Sequence, residues 1–373
     1  MSFVDYVKST YSEQLVRLES SILQMEQDNL QNSANPEATE FYKKLSSALL
    51  SDKAKFIKVG SSVYGFMNRD SDTDFVFFPT AKNNRSAFLR DFHTNPSFKI
   101  NFMHTFSKLI RRESKRLGIP VLETVELPRL KVPLLIVRFE NGTSCDIQFS
   151  EDNFHAIRNT HMIQCYNQCD PRFASLFLWV KTSFDRLEIR NSKFGLLSSY
   201  HILMLVVHFL QSEQSLTPWP VLPVLSQSNP ELIAKTVPIE KIVRDIEAKN
   251  WPKIEWKSHN TMTVSELVVR FVDYYSHFNP VQDCIYISKG MVARRKQAIG
   301  EARIQIIDPY SNYTVCRSTH ASGAFTNAVS FLKNSFKKGL LIDTFPELPE
   351  AEMFKKETQF YSWRTQMSDR KIL

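Results

Sequence analysis

Three aspartates, Asp72, Asp74 and Asp146, stand where carboxylates can serve phosphoryl transfer. The first two lie in Ser71-Asp72-Thr73-Asp74-Phe75-Val76, on an otherwise apolar run that ends at Pro79. Side chains two apart on a strand leave the same face, so this pair presents two carboxylates together. A D-x-D alone is more often a polar surface turn. Here it follows Gly60-Ser61 after ten intervening residues, and Gly60-Ser61 reads as a strand end where backbone amides and a hydroxyl can approach phosphate with no Cβ in the way. Asp146, within Ser144-Cys145-Asp146-Ile147-Gln148-Phe149, supplies the third carboxylate from a strand-like stretch of the same region. Transfer from a triphosphate builds charge on the attacking and leaving oxygens. Two divalent ions roughly 3.5–4 Å apart, bridged by carboxylates, neutralise both.

Such carboxylates need a sheet beneath them. Phe56–Val59 and Phe75–Phe78 read as short buried strands. Val121–Val125, Leu134–Phe139 and Cys145–Phe149 read as strands too, with Asn141-Gly142 as a hairpin turn. Phe102–Leu117 is helical up to Gly118. Upstream, Val4, Val7, Tyr11, Leu15, Leu18, Ile22 and Met25 recur at spacings of three and four, which predicts one long amphipathic helix. A polar break over 28–38 and a helix over 40–50 follow. Beyond residue 150 the chain turns helical, with Phe173–Arg186, Ser198–Gln211 and Phe325–Lys337 as firm helices and a small strand closing Tyr274–Ile287. The predicted class is α+β. N-terminal helices over 1–45 are expected to pack on the helical part, a mixed-sheet domain to fill 46–155, a mainly helical central domain 156–345, and a charged tail 346–373.

At 373 residues, 43% of them hydrophobic and 12% aromatic, the chain suits about two folded domains and is not a disordered tail. Its net charge of +8 and pI near 9.1 favour a polyanionic partner. Five scattered cysteines make no disulfide framework and point to a reducing compartment, with the cytoplasm expected. His161, Cys165 and Cys169 fall on one helix face without a fourth ligand, so core thiols are expected there rather than zinc. The longest apolar run, around Ile202–Leu210, is half a membrane span, and the N-terminus is polar and mixed in charge. No membrane partner and no signal peptide are expected.

At Gly60-Ser61, Asp72, Asp74 and Asp146 the sequence resembles the DNA polymerase β-like nucleotidyltransferases. The resemblance continues into the helical half. Phe177-Leu178-Trp179-Val180-Lys181, Leu197-Ser198-Ser199-Tyr200, Pro220-Val221-Leu222-Pro223-Val224-Leu225 and Ile307-Asp308-Pro309-Tyr310 are similar to blocks of the cytoplasmic-type poly(A) and poly(U) polymerases, over roughly residues 40 to 340. It implies a polymerase β-like nucleotidyltransferase domain followed by a poly(A) polymerase-associated helical domain. The implied activity is template-independent addition of ribonucleotides from nucleoside triphosphates to an RNA 3′ end, with Mg²⁺ held by Asp72, Asp74 and Asp146 and Mn²⁺ as a substitute. It also implies Gly60 and Ser61 on the nucleotide, Asn159 and Thr160 on its sugar, Lys181 on the triphosphate, Ser199 on phosphate, Tyr200 stacked on the base, and Asp308 near the base edge. An amide and a hydroxyl can read the 2′-OH that DNA lacks.

Two departures stand out. A second lysine is usual four residues after the first, and Asp185 occupies that place with Arg186 beside it. Either Arg186 turns to the triphosphate or this contact is absent. Uridine-selective members carry a His in the recognition loop; alignment on Pro309 and Arg317 puts Thr314 there, with His320 the nearest histidine. ATP or mixed nucleotides, including U and G, are therefore expected ahead of strict UTP. The alternatives are a uridylyltransferase and a catalytically weak RNA-binding scaffold, for which Asp185 is the best support.

Basic clusters offer routes for an RNA backbone: Arg111-Arg112 with Lys115-Arg116, Arg294-Arg295-Lys296, and Lys333 with Lys337-Lys338. Arg112, Lys115 and Arg116 fall on one helix face. With no RNA-recognition motif, KH pattern or zinc knuckle in the sequence, a partner protein is expected to supply the choice of RNA.

Overall fold

A strand covered on both faces needs apolar side chains at successive positions, and Phe75-Val76-Phe77-Phe78 provides them. The computed structural model describes residues 1–31, 36–49, 53–67, 72–149, 153–192, 195–213, 215–216, 219–295, 304–311 and 319–341. In it that run is the second of five strands, β1 (Ala54–Val59), β2 (Thr73–Pro79), β3 (Val121–Leu127), β4 (Leu134–Phe139) and β5 (Ser144–Gln148). They form a mixed sheet in the order β1-β2-β5-β4-β3. β2 and β5 run parallel, while β1 with β2, β4 with β5 and β3 with β4 are antiparallel. Gly142, at φ +85°, makes the tight turn from β4 to β5, closed by the Phe139 N–H on the Thr143 carbonyl at 2.9 Å. The fold is α+β, as expected.

The chain divides into two compact units. One comprises Asp28–Cys165 and Glu231–Lys253 and holds the five-stranded sheet. On one face Phe75 and Phe77 meet Phe41 and Leu45 of the helix Pro36–Leu49, and Phe106 and Ile110 of the helix Pro96–Arg116. That second helix starts firmly, since the Asn95 side chain caps the Phe98 N–H at 3.0 Å and Pro96 takes the first position. On the other face Val76 and Phe78 meet Leu89, Ile157, Ile239, Ile242, Val243 and Ile246. The last four are the stripe of the helix Ile239–Ala248.

The other unit comprises Met1–Gln27, Tyr166–Pro230 and the chain from Ile254 onward. Its helices Arg172–Arg186, Ser199–Gln211, Val264–Ser276 and Thr319–Lys337 pack through aromatic edges such as Phe209–Phe271 at 5.4 Å and Tyr275–Phe325 at 5.4 Å. It also carries a small sheet, β6 (Asp283–Tyr286), β7 (Met291–Arg294) and β8 (Gln305–Ile307), in the order β7-β6-β8.

These units depart from the linear boundaries expected. The helix Pro36–Leu49 lies on the sheet rather than with the helical part, because Ala38, Phe41 and Leu45 are buried in the sheet core. Glu231–Lys253 returns to the sheet unit because the isoleucine stripe covers the second face. The N-terminal helix is two, Phe3–Thr10 and Ser12–Gln31, broken at Tyr11. Tyr11 leaves helical geometry at φ −126° and ψ 39°, and its hydroxyl donates to the Lys337 carbonyl at 3.0 Å. A one-residue break leaves the apolar spacing intact, so periodicity does not reveal it. The tail over 346–373 lies outside the described residues. Among the described residues no helix is long and apolar enough to cross a membrane.

Candidate active site

In the sheet unit, strand register assembles the carboxylates. Asp74 and Asp146 are Cα partners across the parallel pair β2–β5. Because side chains alternate, Asp74 shares the face of Val76 and Phe78, and Asp146 sits opposite to Cys145 and Ile147, which enter the other core. The two carboxylates therefore stand on one face. Asp72 precedes β2, is exposed, and accepts a hydrogen bond from the Ser144 hydroxyl next to the β5 partner. Asp74 Oδ1 accepts from the Gln148 amide at 3.4 Å.

Gly60 ends β1 with φ +73° and ψ −153°, a conformation that L side chains rarely adopt. A Cβ there would stand 3.0 Å from Asp74 Oδ2, so glycine lets the turn lie against the carboxylate. Its N–H donates to Thr160 Oγ1 at 2.9 Å, and Thr160 Oγ1 donates to the Ala156 carbonyl at 2.7 Å. Thr160 is 2% exposed and has its proton committed. It holds the Gly60 turn. Asn159, on the same helix His155–Cys169, has a buried Oδ1 with no hydrogen-bond partner among the described residues. Such an atom calls for a donor from outside. Ser61 opens the short helix Ser61–Tyr64 directly after the turn.

The charge balance tells what this face will take. Burial, then Asp146, then Asp72 push the Asp74 carboxyl up to about 7, with the Gln148 amide opposing. Asp74 raises the Tyr64 phenol as well, after burial. Among the described residues no three His, Cys, Asp or Glu side chains are already gathered as a metal cage; Asp72 is turned to Ser144. The donor set is nevertheless three hard carboxylates, Asp146 and Asp72 both raising Asp74, and the glycine cradle leaves space at Asp74 Oδ2. That combination fits a divalent cation of oxygen-seeking type.

The other unit holds a second polar group of residues. Lys181, on Arg172–Arg186, is 4% exposed. Burial first and Arg190 second lower its ammonium to about 8, against Asp185. Asp185 pairs with Arg190 Nε. Arg190 Nη1 donates to Ser199 Oγ at 3.4 Å. Ser199 begins a helix whose cap Ser198 accepts from the His201 N–H at 3.2 Å, with the imidazole returning to the Ser198 N–H at 3.0 Å. Tyr200 donates its hydroxyl to Asp308 Oδ2 at 3.3 Å. Asp308 is 5% exposed, and its Oδ1 takes the Tyr310 and Ser311 N–H groups at 2.8 and 2.6 Å. Asp308 thus organises its own loop and orients Tyr200. Thr314 lies outside the described residues.

The basic clusters are less free than their spacing implies. Arg112, Lys115 and Arg116 are exposed on Pro96–Arg116, yet Arg112 and Arg116 share the Glu113 carboxylate at 3.0 and 2.6 Å. Arg111 is tied to Thr124. Arg294 is exposed, whereas Arg295 donates to the Asp283 carbonyl at 3.1 Å and to that of Pro280. Lys333 pairs with Asp273 at 2.8 Å. Cys165 is wholly buried, with its sulfur 3.8 Å from His161 Nδ1.

Known proteins resemble the chain in sequence and fold. A family model described as "Poly(A) RNA polymerase, mitochondrial-like, central palm domain" matches residues 18–168. Poly(A) RNA polymerase GLD2 of Homo sapiens is 26% identical over 294 residues, which is 78% of this chain and 56% of that protein. Poly(A) RNA polymerase gld-2 homolog A of Drosophila melanogaster is 25% identical over 291 residues, 75% of this chain and 20% of that protein. The chain spans about half the length of the first and a fifth of the second. A solved structure of a GLD-2/RNP-8 complex has the same fold, with a TM-score of 0.63 at 22% identity over 88% of this chain and 99% of that one. With the aspartates of β2 and β5 in register, the chain is similar over its palm region to the mitochondrial-like poly(A) RNA polymerases, and over most of its length to poly(A) RNA polymerases of the GLD2 type.

Proposed function

We propose that the protein adds ribonucleotides to RNA 3′ ends without a template, taking them from nucleoside triphosphates and releasing pyrophosphate. The observation that carries this reading is the pairing of Asp74 with Asp146 across β2–β5, with Asp72 at the edge of the same strand. Held by Asp72, Asp74 and Asp146, Mg²⁺ would neutralise the charge that builds on the attacking and leaving oxygens. Asp146 orients the attacking 3′-hydroxyl. The Gly60 turn, fixed by Thr160, keeps Cβ bulk away from Asp74. Asn159 offers an unsatisfied amide oxygen to a ribose hydroxyl. Tyr200, oriented by Asp308, offers a ring face to a base.

ATP or a mixture of nucleotides is the proposed substrate in preference to UTP alone, on the strength of Thr314 in place of the uridine-selective histidine. Relatives named poly(A) RNA polymerases support that choice. A protein partner is proposed to select the RNA, since a similar protein is known in a complex with RNP-8. The test is extension of a 5′-labelled oligoribonucleotide with ATP, UTP, GTP and CTP supplied separately and mixed. Efficient tailing with ATP or the mixture, and weak tailing with UTP alone, is expected; a pure U tail would overturn the preference. Thr314→His is expected to move preference towards UTP.

A further inference from the structure

We propose that Arg190 is a triphosphate-binding residue of this chain, aimed by Asp185. The proposal rests on the reading that the protein binds nucleoside triphosphates. Arg190 lies just beyond the helix that carries both Lys181 and Asp185. Nε pairs with Asp185, Nη1 reaches Ser199 Oγ at 3.4 Å, and Nη2 makes no hydrogen bond among the described residues. A carboxylate on Nε, with only a long contact from Nη1, leaves Nη2 and the outer edge able to turn to phosphate oxygens.

The surrounding charge argues against a merely structural pair. Lys181 is buried beside it and is acted on by both Arg190 and Asp185. Two cations thus lie near the Asp185 carboxylate. Asp185 and Arg190 side chains are 29% and 32% exposed, open enough for a ligand to reach. The nearby Ser199 hydroxyl opens the thirteen-residue helix Ser199–Gln211, whose N-terminal end adds positive potential. An anion with several acceptor oxygens relieves all of this together. Arg190 therefore contacts the phosphates, and Asp185 is a positioning residue that acts through it.

Isothermal titration of ATP and of AMP in Mg²⁺, without RNA, separates the possibilities. Wild type is expected to bind ATP more tightly than AMP. Arg190→Gln should weaken ATP binding by about 10- to 100-fold, the loss of one charge-assisted contact, while AMP binding changes by less than about threefold. Arg190→Lys keeps charge but not the fork and should lose less; should the Gln variant fail to fold, the Lys variant still must weaken ATP selectively. Asp185→Asn should weaken ATP by less than Arg190→Gln does. Equal ATP affinity in wild type and the Arg190 variants, or equal losses for ATP and AMP, overturns the assignment. A wild-type protein that binds neither nucleotide overturns instead the reading on which it rests.

Discussion

The backbone N–H of Gly60 donates to the side chain of Thr160, 100 residues along the chain, at 2.9 Å. That bond fixes the turn whose missing Cβ leaves space against Asp74. Thr160→Val keeps the shape and removes both the acceptor and the donor to Ala156. Leaving this part-buried N–H without its partner destabilises by about 1 kcal/mol, visible in urea unfolding. Displacement of the turn should lower kcat roughly ten- to hundredfold. Thr160→Ser, which retains the hydroxyl, should recover most of both; a Ser variant as poor as Val would show that the methyl group matters and the hydrogen bond does not.

The carboxylate pair is readable from sequence because its signal is local. Alternation along Thr73–Pro79 sets which face Asp74 occupies, and Ser144–Gln148 does the same for Asp146. The Thr160 bond, the Arg190–Asp185 pair and the Tyr200–Asp308 contact are not local in this sense, because no periodicity reports a side chain's partner. The isoleucine stripe of Ile239–Ala248 announces a buried face but not which body it covers, and the structure puts it on the sheet. The strands β7 and β8, of four and three residues, are too short for an alternating pattern to show.

Divalent-ion binding should depend on pH. With its carboxyl pushed up to about 7, Asp74 of the metal-free protein holds a proton below that pH and must release it to bind a cation. The apparent affinity for Mg²⁺ should therefore rise with pH, by up to about tenfold per unit below 7, and level off above. Calorimetry in two buffers of different ionisation enthalpy should register proton release near pH 7 and none near pH 9. A flat profile from pH 5.5 to 9 would contradict the charge accumulation described.

Acid should destabilise both units through one buried histidine in each. Burial, opposed by Asp245, lowers His161 to about 4, and burial lowers His208 to about 3. Both are below the unfolded value of about 6.5. As pH falls from that value, the unfolded chain takes up protons that the folded chain refuses. Their contribution is complete above pH 6.5 and is lost as pH falls towards the folded values, at a slope of up to about 1.4 kcal/mol per pH unit for each. His208→Phe, which also removes the 3.0 Å contact with the Tyr274 hydroxyl, should flatten the acid slope of its unit. Denaturation midpoints between pH 4 and 7 give the comparison, and an unchanged slope would refute it.

The central claim is that the aspartates on β2 and β5 perform nucleotidyl transfer onto RNA. Its most direct test is extension of a 5′-labelled oligoribonucleotide in Mg²⁺ by wild type and by Asp74→Ala, with all four nucleotides present. Wild type should lengthen the RNA and Asp74→Ala should leave it unextended while retaining the wild-type far-ultraviolet spectrum. Wild type that adds nothing in either Mg²⁺ or Mn²⁺, or an Asp74→Ala variant that tails as fast as wild type, would contradict the account.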